Sequence, residues 1–265
     1  MKNLNDIIHP VAAELAHFEA FFAQTLKAET EPMDTIMRYM LETKGKRLRP
    51  ILVLLSAKLF GEPNEKTLRA ATFVEMVHSA TLIHDDVVDD SDLRRGKASV
   101  KTHFGNLSAV LAGDYLLAKA MLLIANDADI LNEMLSTTAA MSEGELMQNS
   151  NIRLPQCDSP TKQYLDIITR KTAMLMRSCC ATGAMSVDAN GEQIERISNF
   201  GLHFGQLFQM RDDILDSDNT ENVALATQLL STCQQKTLDS LKDFSDSVTL
   251  NALKELVVYC AERKR

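Results

Sequence analysis

The chain has 265 residues, of which 45% are hydrophobic and 24% are charged, so it can form a substantial core and has the charge content of an ordinary soluble protein. Its 28 Lys and Arg are outnumbered by 36 Asp and Glu, which gives a formal net charge of -8. That balance argues against a nucleic-acid partner, because a surface that follows phosphates normally carries excess positive charge.

Apolar residues recur at helical spacing along most of the chain, and all six prolines lie at or before residue 160, where predicted helices begin or end. Asn64 is typical of a helix N-cap, and Ser159-Pro160 of a cap followed by a proline in the first turn. The predicted helices lie near residues 4–27, 32–43, 50–60, 65–90, 107–125, 127–150, 160–187, 191–217, 222–242 and 247–263. No run of alternating β-branched residues predicts a strand pair. We expect one all-α domain over residues 1–265, a single-domain bundle of about ten helices.

Three features bear on the compartment. Five cysteines, an odd number without a Cys-x-x-Cys pair, indicate buried thiols in a reducing environment and not a disulfide framework or a zinc site. The first residues lack the basic-then-apolar pattern of a signal peptide. The most apolar stretch, residues 107–126, contains Asp114 and Lys119, which argues against a membrane span. We therefore expect a cytoplasmic location.

The predicted helix 65–90 ends in an acidic run, in which Asp85 and Asp89 are spaced i, i+4 and share a face about 6 Å apart along the axis. Asp86 and Asp90 are expected to repeat this arrangement on the adjoining face. Like charges at this spacing destabilise a helix, and the helix dipole disfavours anions near a C-terminus. A bound divalent cation would reverse both effects. Taken alone, the run could equally be a solvated acidic helix end.

A second acidic cluster repeats the Asp-Asp-x-x-Asp spacing at the end of the predicted helix 191–217, with Asp212 and Asp216 as the i, i+4 pair. Two such clusters on mostly apolar helices could face each other across a cavity of the bundle. Few, hard oxygen ligands suit Mg²⁺, which keeps several waters and is usually shared with substrate phosphates. The pair of clusters predicts a site that holds a diphosphate through metal.

Basic residues accompany both clusters. Arg94 and Arg95 follow the first one and suit bidentate recognition of phosphate oxygens. The segment 44–50 concentrates four cations at a predicted helix start, where free N–H groups also favour anions. Lys171 and Thr172 add a cation and a hydroxyl within a helix, although Lys171 alone would more often be a surface charge. Cations near the Asp clusters are expected if both hold the same anion.

These residues together resemble one family, the trans-type polyprenyl diphosphate synthases of the isoprenoid synthase family, and within it the long-chain members. The resemblance runs in order from about residue 30 to 217. The motifs that carry it are Gly45-Lys-Arg-Leu-Arg-Pro50, Val74-Glu-Met-Val-His78, Leu82-Ile-His-Asp-Asp-Val-Val-Asp89, Arg94-Arg-Gly-Lys97 and Phe208-Gln-Met-Arg-Asp-Asp-Ile-Leu-Asp216.

The resemblance implies long helices around a deep central cavity and an enzyme that condenses isopentenyl diphosphate with an allylic diphosphate, such as farnesyl diphosphate. The implied cofactor is Mg²⁺, and the reaction is ionisation, condensation and elimination in a cavity that excludes water. A homodimer is also implied, for which the apolar segment 107–147 is the expected interface. The apolar product implies transient association with membranes.

The resemblance also assigns residue roles. The implied metal ligands are Asp85, Asp89, Asp212 and Asp216. The residues matching contacts to the allylic diphosphate are Arg94, Lys171, Thr172 and Gln209. Those matching the isopentenyl diphosphate pocket are Lys46, Arg49, His78 and Arg95. The residues expected to be catalytic are Asp85, Asp86, Asp89, Arg94, Lys171 and Asp212.

Product length is predicted from the helix that carries Asp85. The growing chain must pass the positions about one turn before Asp85, which are Ala80 and Thr81, and then Met76, Val77 and Phe73. Shorter-chain members of the family carry bulky aromatic residues at the positions one turn before the aspartates, which form the floor of the product tunnel. Ala80 therefore favours a long product, hexaprenyl to nonaprenyl, of the type used for quinone side chains. Small residues here could also serve close helix packing alone.

One departure from the family and three alternatives stay open. After Asp216, the segment 217–222 leads directly into a helix, without the lysine-containing stretch usual in the family, which puts a third metal site and lid closure in doubt. The chain could be a non-catalytic subunit of a heteromeric synthase. A class I terpene synthase shares the metal chemistry but would not need Lys46, Arg49 and Arg95. The pairs Glu14-x-x-His17 and Glu75-x-x-His78 are also compatible with a di-iron carboxylate bundle.

Overall fold

The computed structural model describes residues 3–43, 45–149, 159–216 and 220–264, and within these it is built almost entirely of helices. They are α1 Leu4–Ile7, α2 Ala12–Thr25, α3 Glu31–Glu42, α4 Leu48–Phe60, α5 Glu65–Val88, α6 Val100–Phe104, α7 Asn106–Ile124, α8 Ala128–Asn149, α9 Pro160–Ile168, α10 Met174–Ser186, α11 Gly191–Asp216, α12 Thr220–Asp239 and α13 Val248–Glu262. A 3₁₀ turn, His9–Val11, separates α1 from α2, and a π-helical turn, Thr169–Ala173, joins α9 to α10. The predicted all-α fold is confirmed.

The two predicted helix caps are present. Asn64 Oδ1 accepts from the Thr67 N–H at 3.2 Å while Thr67 Oγ1 accepts from the Asn64 N–H at 3.1 Å, so each satisfies a backbone donor of the other. The Ser159 hydroxyl accepts from the Lys162 N–H ahead of Pro160 in the first turn. These caps fix where α5 and α9 begin.

The core is centred on α4, α5 and α10. Residues Ile51–Leu55 of α4 have no exposed surface, and α5 is buried from Ala70 to Val77. Helix α10 lies between the two helices whose C-terminal turns carry the aspartate clusters, since it packs against both α5 and α11. Burying each large aliphatic side chain contributes about 1.5–3 kcal/mol, so this central layer accounts for much of the stability that holds the acidic helix ends in place.

The structure corrects the sequence prediction around the first acidic run. Helix α5 ends at Val88 and not at residue 90, Asp89 caps it, and Asp90 has the left-handed φ of 53°. Asp90 therefore turns away and pairs with Lys101, so the expected helical pair of Asp86 and Asp90 does not form. The structure also contains one short element that the sequence did not indicate, an antiparallel pair of residues 93–94 and 97–98.

Helix α7 presents an apolar face. It is long and apolar enough to span a membrane by length and composition alone, with a mean hydropathy of 1.7, but one such helix is weak evidence for a span. Several large apolar side chains of α7 and α8 are exposed, namely Leu107, Val110, Leu111, Met121, Leu122, Leu135 and Leu146. A patch of this kind on a protein surface commonly marks an interaction site.

The cysteines that the structure describes are buried, as predicted. Cys179, Cys180, Cys233 and Cys260 are free thiols, and burial raises the pKa of Cys180 to about 12. Such thiols are unreactive at neutral pH. Cys157, like Lys44 of the basic segment, lies outside the described residues.

Candidate active site

The first acidic cluster lies at the C-terminal end of α5. Asp85 is half-buried, and Asp89 donates its backbone N–H to the Asp85 carbonyl at 2.8 Å. Burial, followed by the negative charge of Glu145 on α8, raises the pKa of Asp85 to about 6, while Lys171 acts in the opposite direction. A carboxylate whose charged form is disfavoured in this way would gain from a nearby cation.

Asp86 and Arg94 contact each other directly. The Asp86 side chain is buried, and Arg94 Nε donates to Asp86 Oδ1 at 2.9 Å, with a second short contact from the same guanidinium. Asp86 was predicted to be catalytic and Arg94 to bind phosphate. In this arrangement Asp86 holds the Arg94 head beside the first cluster, which is a positioning contact.

The second acidic cluster lies at the end of α11. Asp212 is half-buried, and Asp216 is exposed as the last residue of the helix. Burial raises the pKa of Asp212 to about 6, with Asp216 and Asp213 adding to the effect and Arg263 opposing it. The lysine-containing stretch that is usual in the family would follow here, and residues 217–219 lie outside the described residues.

The π-helical turn carries Lys171 and Thr172 into the site between the two clusters. Lys171 Nζ lies 2.7 Å from Glu145 Oε2, and the ammonium also lowers the pKa of Asp85, so Lys171 is not the isolated surface charge that its sequence context alone would suggest. Thr172 Oγ1 donates to Gln209 Oε1 at 2.7 Å. A single π turn inside a helix shifts the register and often marks a functional position.

The four residues matched to isopentenyl diphosphate line one cavity of about 560 Å³. They are Lys46, Arg49, His78 and Arg95. Arg49 lies with NH1 at 2.9 Å from His78 Nε2, and burial followed by the Arg49 charge lowers the pKa of His78 well below its ordinary value. His78 is therefore neutral, accepts from Arg49 through Nε2 and carries its proton on Nδ1.

Arg49 is the most informative cation of this cavity. Its Nε is buried without a hydrogen-bond partner among the described residues, and burial lowers the pKa of its guanidinium. A buried donor without an acceptor costs free energy, so a site of this kind is favourable for an anion that supplies the acceptor.

Arg47 has a structural role that the sequence did not reveal. Its guanidinium is largely buried and lies 2.6 Å from Glu75 Oε1 and 2.8 Å from Glu19 Oε1. The backbone of Arg47 itself has a left-handed φ of 51°. It thus anchors the loop that carries Lys46 and leads into α4, where Arg49 lies. Glu75 is engaged here and Glu14 pairs with Lys58, so neither Glu of the two Glu-x-x-His pairs is disposed toward a di-iron site.

Arg263, near the end of the chain, reaches the second cluster and was not predicted. It lines the same 560 Å³ cavity, and its guanidinium lies 4.2 Å over the Phe208 ring. Its carbonyl accepts from Arg211 Nε at 3.0 Å, which holds the segment against α11. The sequence shows Arg263 only as one of several basic residues in its segment, and no local pattern predicts that it contacts α11.

The predicted chain-length residues occupy the other face of α5. Phe73, Met76, Val77 and Ala80 are buried, and Thr81 is half-buried with Oγ1 donating to the His78 carbonyl at 2.9 Å. At 100° per residue, this face lies nearly opposite the one formed by Glu75, His78, Ser79 and Leu82, which line the described cavities. The product tunnel itself stays a prediction.

The donor set fits Mg²⁺ shared with a substrate better than a metal enclosed by protein. Within the described ranges, no three His, Cys, Asp or Glu side chains come together as a ligand group. Mg²⁺ is commonly held by one or two carboxylates, waters and phosphate oxygens. Asp85 and Asp212 are hard oxygen donors whose pKa values are raised chiefly by burial, so a bound cation would stabilise their charged forms.

Comparison with known proteins places these residues in a family context. Residues 30–249 match the family model described as polyprenyl synthetase. The chain is 39% identical over 214 residues to an all-trans-nonaprenyl-diphosphate synthase (geranyl-diphosphate specific) of Rhodobacter capsulatus, covering 80% of this chain and 65% of the relative. It is 37% identical to the octaprenyl diphosphate synthase of Haemophilus influenzae, covering 69% and 56%. The chain therefore spans less than two thirds of the length of these curated relatives.

Solved structures show the same fold. A polyprenyl synthase from Caulobacter crescentus, complexed with calcium and isoprenyl diphosphate, superposes with a TM-score of 0.89 at 24% identity, covering 99% of this chain and 98% of that one. A decaprenyl diphosphate synthase from Rhodobacter capsulatus gives 0.86 at 23% identity, covering 99% and 100%.

Proposed function

This chain belongs to the polyprenyl synthetase family, and on that premise we propose that it condenses isopentenyl diphosphate with an allylic diphosphate to form a long-chain all-trans polyprenyl diphosphate. The observation that carries the proposal is the cation-lined cavity next to the second acidic cluster. In it, Arg49 contacts the neutral His78, and the negative charge of Asp212 acts on the Arg49 guanidinium. A site for one diphosphate thus adjoins a site for a second diphosphate held through metal.

Each group of side chains has a separate task in the proposed reaction. When bound, Mg²⁺ would stabilise the charge of the departing diphosphate, and Asp85, Asp89, Asp212 and Asp216 would hold it. Arg94, kept in place by Asp86, and Lys171 add direct positive charge toward the same oxygens.

The second substrate is bound without ionising. Arg49, Lys46 and Arg95 hold its diphosphate while the apolar part of the cavity excludes water, so that its double bond can attack the allylic carbocation. The neutral His78 offers a hydrogen-bond donor without adding a further positive charge to an already cationic cavity.

A long product is supported by two observations. The relatives described above are named nonaprenyl and octaprenyl diphosphate synthases. Ala80, at the expected floor of the tunnel, is buried and small. A quinone side chain is the use that we propose for a product of this length.

We also propose a homodimer formed through the exposed apolar face of α7 and α8. Burying the exposed side chains of Leu107, Leu111 and Leu122 against a second copy would remove their apolar surface from water. Light scattering at micromolar concentration should give twice the monomer mass, and Leu111→Glu should reduce it. A monomeric wild type would refute this part of the proposal.

One incubation tests the proposed function. The protein, Mg²⁺ and farnesyl diphosphate are combined with and without isopentenyl diphosphate, and the dephosphorylated products are separated by chromatography. Chain extension only with isopentenyl diphosphate supports the proposal. Diphosphate release and a hydrocarbon without isopentenyl diphosphate would indicate a terpene synthase, and no reaction in either case would indicate a non-catalytic subunit.

A further inference from the structure

A chain of three hydrogen bonds links α9, α11 and the π-helical turn. The Tyr164 hydroxyl donates to Asp213 Oδ2 at 2.6 Å. Gln209 Nε2 donates to the other carboxylate oxygen, Asp213 Oδ1, at 2.9 Å. Thr172 Oγ1 then donates to Gln209 Oε1 at 2.7 Å. The chain thus runs from a buried tyrosine to two residues of the proposed allylic diphosphate site.

The direction of every bond in this chain follows from Asp213. An ionised carboxylate only accepts hydrogen bonds, so the NH₂ end of the Gln209 carboxamide must face it. The carbonyl end of Gln209 then faces Thr172, and the Thr172 hydroxyl has to donate its proton to that oxygen. If the amide were reversed, Gln209 would place its oxygen against the carboxylate and its NH₂ against Thr172.

Tyr164 is suited to keep Asp213 in this role. Its side chain is 4% exposed, and burial, followed by the bond to Asp213, raises the pKa of the phenol above its ordinary value, so it remains a donor at any physiological pH. Both oxygens of Asp213 are thereby engaged, whereas Asp216, one of the proposed metal ligands, is exposed.

The turn at the other end of the chain has little freedom to compensate. A Cβ on Gly144 of α8 would come within 2.6 Å of the Lys171 backbone nitrogen, and one on Gly205 of α11 within 2.5 Å of Ala173 Cα. The π-helical turn is therefore packed closely from two sides. Thr172 depends on Gln209, and Gln209 on Asp213, for its hydrogen-bonding direction.

We propose that Tyr164 and Asp213 are positioning residues for the allylic diphosphate. They orient Gln209 so that its second N–H and the lone pairs of Thr172 are directed toward the diphosphate and its metal-bound waters. Within the second cluster, Asp213 accordingly has a structural role, and Asp212 and Asp216 are the residues that bind metal. This inference rests on the proposed function, because it assigns a role within the same site.

The test compares Tyr164→Phe, Asp213→Asn and the double variant with wild type, and uses Tyr115→Phe as a matched control. Tyr115 accepts a hydrogen bond from Lys119 on α7 and takes no part in the series of hydrogen bonds from Tyr164 to Thr172. Binding of an unreactive farnesyl thiodiphosphate with saturating Mg²⁺ is measured by calorimetry, together with both KM values and the melting temperature.

Tyr164→Phe should weaken analogue binding and raise the allylic KM by about tenfold, as expected for losing a hydrogen bond to a charged group. The KM for isopentenyl diphosphate should stay within about twofold of wild type. Asp213→Asn should behave in the same way, since an amide offers only one oxygen to two donors. In the double variant, the two effects should be clearly less than multiplicative, because both act through Gln209.

Other outcomes overturn the inference in distinguishable ways. If wild type is active and Tyr164→Phe binds the analogue as tightly, Tyr164 does not position the site. If both KM values rise together and the melting temperature falls, the role is only structural. If wild type neither binds the analogue nor extends it, the proposed function fails and this inference with it.

Discussion

The guanidinium of Arg263 donates to Oδ1 of Asp212 at 2.5 Å, although 51 positions separate the two residues in the chain. Asp212 is also one of the aspartates to which we assign metal binding. Arg263 therefore occupies a carboxylate oxygen that a metal would need, and its charge opposes the rise that burial causes in the pKa of Asp212. Binding of the metal and the contact with Arg263 should compete.

The first prediction follows from this competition. Arg263→Gln should lower the Mg²⁺ concentration needed for half-maximal activity at pH 8, because Asp212 no longer has a cationic partner. It should also raise the KM for isopentenyl diphosphate, because Arg263 lines the same cavity as Arg49 and Lys46. Lys264→Gln removes a neighbouring, exposed charge and should change neither quantity. If Arg263→Gln needs as much Mg²⁺ for half-maximal activity as Lys264→Gln, or more, the proposed competition is wrong.

The second prediction concerns the two metal-binding clusters. Asp85→Ala and Asp212→Ala should each lower kcat by roughly 10²–10³-fold, the loss typical of removing electrostatic stabilisation of a transition state. Asp90→Ala is the matched control, since Asp90 belongs to the same acidic run but pairs with Lys101. Circular dichroism verifies that the helices are retained. Equal activity of Asp85→Ala and Asp90→Ala would show that the assigned cluster is wrong.

How far the sequence predicted this site depends on the range of the interactions. Helix positions and the i, i+4 aspartates follow from local periodicity, so Asp85, Asp89, Asp212 and Asp216 were identified. The end of α5 was placed two residues late because Lys101, which captures Asp90, comes from beyond the turn. Contacts between distant segments, such as that of Tyr164 with Asp213, leave no periodic signal.

The turn between the two short strands shows a second limit. Its central residues Arg95 and Gly96 both have positive φ, of 53° and 78°. Tight hairpin turns of this kind usually carry Asn or Asp at the first position, and an arginine there is not a hairpin signal. The guanidinium of Arg95 instead donates to the Thr43 carbonyl at 3.1 Å, so tertiary contacts stabilise the turn.

The third prediction is that Asp85 costs stability when no divalent cation is present. Its folded-state pKa of about 6 lies above the ordinary 3.8, so between these values the folded state binds more protons than the unfolded state, and stability falls as the pH rises. Asp85→Asn in EDTA should raise the melting temperature at pH 7.5 by about 2–4 °C, which corresponds to about 1 kcal/mol for a chain of this size. The effect is kept small because the half-buried carboxyl is partly screened by solvent.

The pH dependence gives this third prediction its control. The advantage of Asp85→Asn should shrink toward zero below pH 4, where the wild-type carboxyl is protonated in both states. Asp90→Asn should give no increase, because Lys101 lowers the pKa of Asp90. A higher melting temperature for Asp90→Asn than for Asp85→Asn would exclude the explanation.

The fourth prediction separates the two substrate sites. Arg49→Ala should raise the KM for isopentenyl diphosphate by about ten- to a hundredfold, equivalent to the roughly 1.5–3 kcal/mol of a hydrogen bond to a charged group. The allylic KM should change little. Arg38→Ala serves as control, because its side chain is 59% exposed and pairs with Glu31 and Asp34 of its own helix, α3. An increase confined to the allylic KM would reverse the assignment.

The last prediction concerns product length. It is tested by comparing substitutions at two neighbouring residues that lie on different faces of α5. Ala80 faces the interior, where we expect the growing chain, and Ser79 faces the cavity lined by His78 and Arg95. Ala80→Tyr should therefore shorten the product to C15–C20, whereas Ser79→Tyr should raise the KM for isopentenyl diphosphate and leave the length unchanged. Because a large residue at a fully buried position can also destabilise by overpacking, Ala80→Leu is added as a milder block that should give intermediate lengths. Chromatography of the dephosphorylated products decides between the two faces of α5. If both Ala80 variants stay folded and neither shortens the product, the growing prenyl chain does not pass this side of α5. Ala80 is then small only because the neighbouring helices pack closely there.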